Sequence, residues 1–200
     1  MESLQSGICS FWFEDCLESP ERAATRMMQW FGGSEELDER IRADFAELPD
    51  RALEGEFDGW TSDPRGALAL VLILDQFPRN LFRGSAKAFA FDARALEVAL
   101  DAIRRGLDEV LHPIEEIFLY LPMEHSESLE LQKRSVDRFE ALEARGSDEL
   151  RPLLGQSSEY ARSHRDVIRR FGRFPHRNAT LGRESSPAEL DYLESGGGFG

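Results

Sequence analysis

Apolar residues recur at intervals of three and four along most of the chain, and this spacing places them on one face of an α-helix. The clearest stripe consists of Phe89, Ala93, Leu96, Leu100, Ile103 and Leu107. No alternating pattern of useful length indicates a β-strand. The sequence therefore predicts an all-α fold of antiparallel helical hairpins, packed as a bundle or a short solenoid.

Residue pairs that favour helix starts separate these stripes. A capping side chain precedes proline at Ser19-Pro20, Asp63-Pro64 and Ser186-Pro187. Ser and Asp accept hydrogen bonds from the first free amides of a helix, and proline suits its first turn. We also expect Pro122 to end one helix, Ser126 to cap the next, and Gly172 to stop the last long one.

The chain has 200 residues, of which 41% are hydrophobic, enough for one domain with a buried core. We expect a single helical domain over residues 1–195 and a flexible glycine-rich tail over residues 196–200. The net charge is -14, which argues against nucleic acid and anionic membranes as partners because both attract basic proteins.

Cys9 and Cys16 are the two cysteines, and they lie seven positions apart in what reads as one helix. That separation is roughly 10 Å along a helix axis, which is too far for a disulfide. The N-terminus lacks the basic and apolar segments of a signal peptide. We therefore expect reduced cysteines and a cytoplasmic location.

Two short segments combine phenylalanine, proline, arginine and asparagine after an apolar helical run. The first Phe-Pro motif covers residues 77–83 and contains Phe77, Pro78, Arg79, Asn80 and Arg83. The second Phe-Pro motif covers residues 174–183 and contains Phe174, Pro175, His176, Arg177, Asn178 and Arg183. Each motif holds guanidinium groups, an amide and a chain bend within a few residues.

Pro78 predicts that the helix before the first motif ends or kinks between residues 74 and 77. Asp75 then lies in a final turn, where the helix dipole disfavours negative charge, so it needs a cationic partner. Arg79 and Arg83 are the nearest candidates. One interpretation is a structural lattice of Asp75 and the arginines, with Asn80 bonding freed carbonyls; the other is a functional site.

The second motif, together with Arg173 before it, places several cations and an amide in an irregular segment. Such a segment suits an oxyanion because a guanidinium group binds carboxylate or phosphate through two hydrogen bonds. Internal ion pairs with acidic helix ends are the alternative. The predicted ligand-binding residues are Asp75, Arg79, Asn80, Arg83, Arg173, Arg177, Asn178 and Arg183.

Glu124 and His125 place a carboxylate beside an imidazole in a short break after Pro122. Such a pair can transfer protons near neutral pH, with Glu124 orienting His125. His176 is a second candidate for this role, whereas His164 lies on an apolar stripe and reads as a core residue. No HExxH motif or closely spaced histidine pair occurs, so neither a metal nor a cofactor is predicted.

Five sequence runs resemble a mainly bacterial family of unknown function, domain-of-unknown-function family 924. They are Phe11 to Phe13, Trp30-Phe31, Leu68 to Arg83, Phe118 to Gln132 and Arg170 to Arg183. The residues that match the family pattern are Asp75, Gln76, Arg79, Asn80, Arg83, Glu124, His125, Ser126, His164, Arg173, His176, Arg177, Asn178 and Arg183. The resemblance implies a helical, tetratricopeptide-like fold over roughly residues 8 to 195, but no activity.

Three hypotheses follow for the function. The first is a binding module in which arginines of both motifs hold an anionic small molecule or an acidic group of a protein partner. The second is an enzyme in which His125 or His176 transfers a proton to or from an anionic substrate. The third is that both motifs are purely structural clamps in an interaction scaffold.

Overall fold

The computed structural model describes residues 3–199, and this part of the chain contains helices and no β-strand. The all-α prediction is therefore confirmed. The helices are α1 (Leu4–Phe13), α2 (Pro20–Phe31), α3 (Glu35–Phe45), α4 (Leu48–Leu53), α5 (Pro64–Val71), α6 (Phe77–Leu81), α7 (Asp92–Arg104), α8 (Pro113–Glu124), α9 (Leu129–Arg145), α10 (Arg151–Phe171) and α11 (Pro187–Glu194). The tetratricopeptide-like arrangement stays a prediction.

Short irregular helices join several of these elements. A π-helical turn, Leu72–Gln76, links α5 to α6. Turns of 3-10 helix cover Asp58–Ser62, Ala86–Phe89, Asp108–Val110 and Pro175–Arg177. Helix α8 packs beside α9, and α9 packs beside α10. A short connection joins the two helices of each pair.

Two helical segments form the centre of the main hydrophobic cluster. The segment from Gly66 to Gln76, in α5 and the π-helical turn, is buried throughout and is apolar as far as Leu74. Every residue of α8 from Ile114 to Glu124 is also buried. Trp12 of α1 packs against both Phe77 and Phe118 in this cluster, so the cluster extends from the N-terminal helix to α8.

The predicted helix end at Pro122 is wrong. Pro122 lies inside α8, which continues to Glu124, and the His125 amide still donates to the Leu121 carbonyl at 2.8 Å. Proline removes one helical hydrogen bond, at a cost of ~3 kcal/mol in an exposed helix. Here α8 is held on several sides by α5, α7 and α9, and this packing maintains the helix.

The predicted cap at Ser126 is also misplaced. Ser128 caps α9 by accepting from the Leu131 amide, whereas the Ser126 hydroxyl accepts from the Ser128 amide at 3.2 Å. Both serines precede the same acidic stretch, so either fits the capping pattern. The shift leaves Glu127 in the connection before α9, where its side chain is free to reach another segment.

The prediction that Cys9 and Cys16 share one helix is wrong. Helix α1 ends at Phe13, and Glu14 has a φ of 47°, which turns the chain away from the helix axis. Both cysteines are buried free thiols. Burial raises the pKa of each thiol to about 12, so neither is an ionised nucleophile near neutral pH.

A second, smaller hydrophobic cluster lies at the C-terminal side of the protein. Gly172, with a φ of 72°, ends α10 as predicted, and the chain then folds back so that Phe174 packs against Val167 and Ile168. Tyr192 and Phe199 pack against the same cluster. The predicted flexibility of residues 196–200 stays a prediction, and Gly200 lies outside the described residues.

No helix within residues 3–199 is long and apolar enough to cross a membrane. The cytoplasmic location stays a prediction.

Candidate functional site

Asp75 enters the protein core from the π-helical turn between α5 and α6. In this turn the Phe77 amide donates to the Leu72 carbonyl, one residue farther back than in an α-helix. Pro78 has no amide hydrogen, and its ring would clash with a carbonyl in a regular helix. The predicted interruption therefore takes the form of a widened turn, which keeps the chain helical and leaves the Asp75 side chain with no solvent exposure.

The buried Asp75 carboxylate pairs with His125, which follows the end of α8. The His125 Nδ1 lies 2.7 Å from Asp75 Oδ1, and the Gln76 amide donates to the other carboxylate oxygen at 2.6 Å. The Arg79 guanidinium is 3.5 Å from Oδ1. The predicted orientation of His125 by Glu124 is therefore wrong: a carboxylate fifty residues away in sequence performs it.

The charges around this pair fix its protonation. Burial disfavours the Asp75 carboxylate, but the charge of Arg79 and the hydrogen bonds from His125 and Gln76 outweigh it and hold the pKa of Asp75 below its usual range. Burial and the charge of Arg79 lower the pKa of His125, against the opposing effect of Asp75. At neutral pH the imidazole is thus neutral, its Nδ1–H donates to Asp75, and its Nε2 carries the lone pair.

Arg79 and Arg177, one from each Phe-Pro motif, meet at Asp92 in the first turn of α7. Arg79 donates to both Asp92 oxygens, at 2.9 and 3.2 Å. Arg177 reaches Asp92 Oδ2 at 3.5 Å, the long limit of a hydrogen bond. The two motifs therefore contribute to one polar cluster.

Arg177 is 7% exposed, although it carries a charge. Its guanidinium carbon lies 4.7 Å from the ring centre of Phe89 and 4.5 Å from that of Phe174. Burial and the nearby Arg79 lower the pKa of Arg177 to about 10, so it remains charged at neutral pH. Its Nε is buried without a hydrogen-bond partner within residues 3–199. Such an atom is costly unless something binds it.

Glu124 and His164 form a second buried pair beside Asp75. His164 Nδ1 lies 2.8 Å from the Tyr160 carbonyl and 3.2 Å from Glu124 Oε1. Burial and the Asp75 charge raise the pKa of Glu124 to about 8, while burial lowers that of His164 to about 3. Both side chains are therefore mainly neutral at pH 7, and their contact is a neutral one rather than an ion pair.

His176 lies at the edge of the cluster with its Nδ1 buried and unpartnered in the described chain. Burial and the Arg177 charge lower the pKa of His176 to about 4, so its ring is also neutral at pH 7. We define the polar cluster as Asp75, Arg79, Asp92, Glu124, His125, His164, His176 and Arg177. Of the predicted site residues, it unites Asp75, Arg79, Arg177 and all three catalytic candidates.

The remaining predicted residues contact acids or hydroxyls outside this cluster. Asn80 and Arg83 both donate to Asp38, at 2.7 and 3.1 Å. Arg173 donates to both carboxylate oxygens of Glu189, at 2.6 and 2.8 Å. Of the two candidate partners of Asp75, Arg79 contacts it and Arg83 binds Asp38 instead. These contacts match the structural-clamp interpretation, and ligand binding by these residues stays a prediction.

Arg183 and Asn178 form a third contact of this kind. Arg183 donates to both oxygens of Glu127, at 2.8 and 2.9 Å, and to the Asn178 side-chain oxygen at 2.9 Å. The Asn178 amide donates to Ser185 Oγ at 3.0 Å. The Phe174 amide also donates to Glu127 at 2.8 Å. Glu127, displaced from α9 by the cap at Ser128, thus fixes the second motif.

The sequence patterns missed Asp92, Phe89 and Phe199 as members or neighbours of the cluster. An aspartate in the first turn of a helix is common for reasons of capping and dipole, so it carries no distinctive signal.

Within residues 3–199, no group of three or more histidine, cysteine or acidic side chains is arranged to hold a metal ion.

Comparisons with known proteins give a family but no activity. The family model described as a bacterial protein of unknown function (DUF924) matches residues 8–197. A solved structure with a similar fold is that of a protein of unknown function, ATU0120, from Agrobacterium tumefaciens. It is 38% identical, with a TM-score of 0.80, and the match covers 96% of this chain and 97% of that one. No protein of curated function matches significantly. The chain therefore belongs to the bacterial family of unknown function DUF924.

Proposed function

We propose that the polar cluster binds a small anionic molecule through Arg79 and Arg177. The observation that carries this proposal is the state of Arg177: a charged side chain, almost wholly buried, with an unpartnered Nε and one long contact to Asp92. A carboxylate or phosphate can accept from the free Nε and strengthen this incomplete pairing.

The charge balance of the cluster sets a condition on binding. Two arginines face the carboxylates of Asp75 and Asp92, while Glu124 and His125 are neutral at pH 7. An added anion leaves an excess of negative charge unless a proton also enters the cluster. His125 is the neutral base closest to Arg79 and Asp75, so anion binding should draw a proton onto it. We therefore expect affinity to increase as the pH falls.

The test compares an inner arginine with an outer one. Inorganic phosphate is titrated into the wild type, Arg177→Met and Arg83→Met by isothermal calorimetry at pH 6 and pH 8. We expect the Arg177 variant to bind at least about tenfold more weakly, as for the loss of a charge-assisted contact. Arg83→Met, which removes only a rim contact to Asp38, should bind within about twofold of the wild type.

Melting temperatures of the three proteins serve as the control for folding. Equal phosphate affinity in all three folded proteins would contradict the proposal, as would the absence of measurable binding to the wild type.

The Asp75–His125 pair favours an enzyme as the second candidate. Its carboxylate is ionised and buried, and it holds the imidazole so that Nε2 is the proton acceptor. In this alternative His125 stays neutral when the substrate is bound, and it acts as a general base on the group that the arginines hold. His176 lacks such an orienting carboxylate, which makes His125 the stronger candidate.

Turnover of p-nitrophenyl acetate and p-nitrophenyl phosphate tests this second candidate in the wild type, His125→Asn and His164→Asn. The expected result is activity that rises through a pKa below 6.5 and is lost in the His125 variant alone. Absence of turnover, or turnover that the His125 variant retains, would rule out this role for His125 on these two probes.

A further inference from the structure

The ring of Phe199 occupies a slot beside the polar cluster. It stacks on His164, with ring centres 3.5 Å apart and planes at 15°. Two further rings lie beside it and are nearly perpendicular to Phe199, with ring centres 6.1 Å away for Phe174 and 5.8 Å away for His176. These three side chains therefore line a partly open slot that fits one planar ring, and Phe199 is half-buried in it.

The segment that carries Phe199 is rich in glycine. These glycines suit its path over the protein surface, and they also favour its release from that surface. Gly196 and Gly198 have φ values of 83° and 138°, which favour glycine, and a Cβ at Gly197 would lie 2.4 Å from a Tyr192 ring carbon. The observed path thus requires glycine at these positions. Three consecutive glycines also gain much conformational entropy when the segment leaves the surface, and this gain favours its release.

The slot and the arginines share one wall. Phe174 has the Arg177 guanidinium carbon 4.5 Å from its ring centre and the Phe199 ring centre 6.1 Å away. His164, under the Phe199 ring, contacts Glu124 of the polar cluster. A single small molecule with its ring in the slot can therefore place an anionic group near Arg177.

We propose that this slot binds the aromatic ring of the anionic ligand, and that Phe199 fills it when no ligand is bound. The inference rests on the proposed anion site and adds the chemical class: a small molecule with a planar aromatic ring and a carboxylate or phosphate on a short linker. Ligand and Phe199 compete for the same face of His164.

The experiment removes the competing ring. Calorimetric titration of 3-phenylpropionate into the wild type, Phe199→Ala and Phe199→Tyr compares an empty slot with two filled ones. The matched probe 3-cyclohexylpropionate has the same carboxylate and a non-planar ring. We expect Phe199→Ala to bind the aromatic probe about tenfold more tightly than the wild type, with no comparable gain for the cyclohexyl probe. Phe199→Tyr should resemble the wild type.

A second measurement reads the slot directly. In the NMR spectrum, the ring-current shift that Phe199 imposes on the His164 imidazole protons should disappear in Phe199→Ala and return when 3-phenylpropionate binds. Equal affinities in the wild type and Phe199→Ala, or equal gains for the two probes, would overturn the inference.

A double variant, Phe199→Ala with Arg177→Met, separates the two proposals. If its affinity for the aromatic probe equals that of Phe199→Ala, the slot is retained and the anion site is rejected. If phosphate binding depends on Arg177 but Phe199→Ala gains nothing, the anion site is retained and the slot is rejected. No binding of either probe to any protein contradicts both.

Discussion

The two Phe-Pro motifs use the same residue types in two different settings. The first lies in a buried helix that widens to pass Pro78, whereas the second lies in an irregular segment after α10 ends at Gly172. In each motif an early arginine, Arg79 or Arg177, turns inward to Asp92. The difference in backbone therefore does not prevent the two inner arginines from reaching one carboxylate.

The later arginine of each motif has the opposite orientation. Arg83 binds Asp38 and Arg183 binds Glu127, and in each case the asparagine of the motif takes part in the same contact. Each motif thus contains one inner arginine and one outer clamp. The clamps therefore anchor the two segments. Of the two inner arginines, Arg79 is fully paired, whereas Arg177 has the incomplete contacts that a ligand can use.

The largest expected effect comes from removing the charge of the buried Asp75, which lies in the π-helical turn before the first motif. Asp75→Asn takes away the charge that His125, Gln76 and Arg79 surround. Breaking a buried charged contact costs about 4 kcal/mol. Asp38→Asn, which removes the partner of the outer Arg83, should cost about 1 kcal/mol because Arg83 is largely exposed. Urea denaturation at pH 7 measures both free energies of unfolding.

An equal cost for the two aspartate variants would remove the distinction between inner cluster and outer clamp. Reduced solubility or loss of folding in Asp75→Asn alone agrees with the prediction.

The next effect concerns Glu124 and its dependence on pH. Its pKa in the folded protein, about 8, lies above the ordinary 4.5, so the folded state holds the proton more tightly than the unfolded one. Stability from this group is fully present below pH 4.5 and is lost as the pH rises toward 8. Glu124→Gln is neutral at every pH, and it should become more stable relative to the wild type by roughly 4 kcal/mol between pH 5 and pH 9.

Thermal and urea unfolding of the two proteins across this range check the slope. A difference in stability that stays constant from pH 5 to pH 9 would mean that Glu124 is ionised inside the protein at neutral pH.

The sequence predicted those parts of the fold that depend on neighbouring residues. Ser19, Asp63 and Ser186 cap helices where expected, and Arg79 pairs with Asp75 one helical turn away. Pro122 misled because tertiary packing, which no local pattern reports, keeps α8 intact past it.

The candidate site was less predictable because its main contacts join distant parts of the chain. The pair of His125 with Asp75 spans 50 positions, and that of Arg177 with Asp92 spans 85. The sequence supplied the residue types, but their pairing depends on how α6, α7 and the second motif pack. Asp92 resembled any acid in a first helical turn until the structure placed two arginines on it.

The smallest effect distinguishes the two outer clamps from each other. Arg183→Met removes two bonds to Glu127, one to Asn178 and one to the Phe174 carbonyl. Within residues 3–199, Glu127 then keeps only the hydrogen bond from the Phe174 amide. The Arg183 side chain is 24% exposed, whereas that of Arg83 is 55% exposed. We expect Arg183→Met to cost about 2 kcal/mol and Arg83→Met less than about 1 kcal/mol.

These outer variants also show whether a clamp positions its inner arginine. Because Glu127 and Arg183 hold the Phe174 backbone, and Phe174 packs on Arg177, loosening the second clamp should change phosphate affinity through Arg177. Loosening the first clamp should not, since Arg79 stays fixed by Asp75 and Asp92. Phosphate titrations of both variants decide this: equal affinities would mean that the second motif is as rigid without its clamp as the helical first motif.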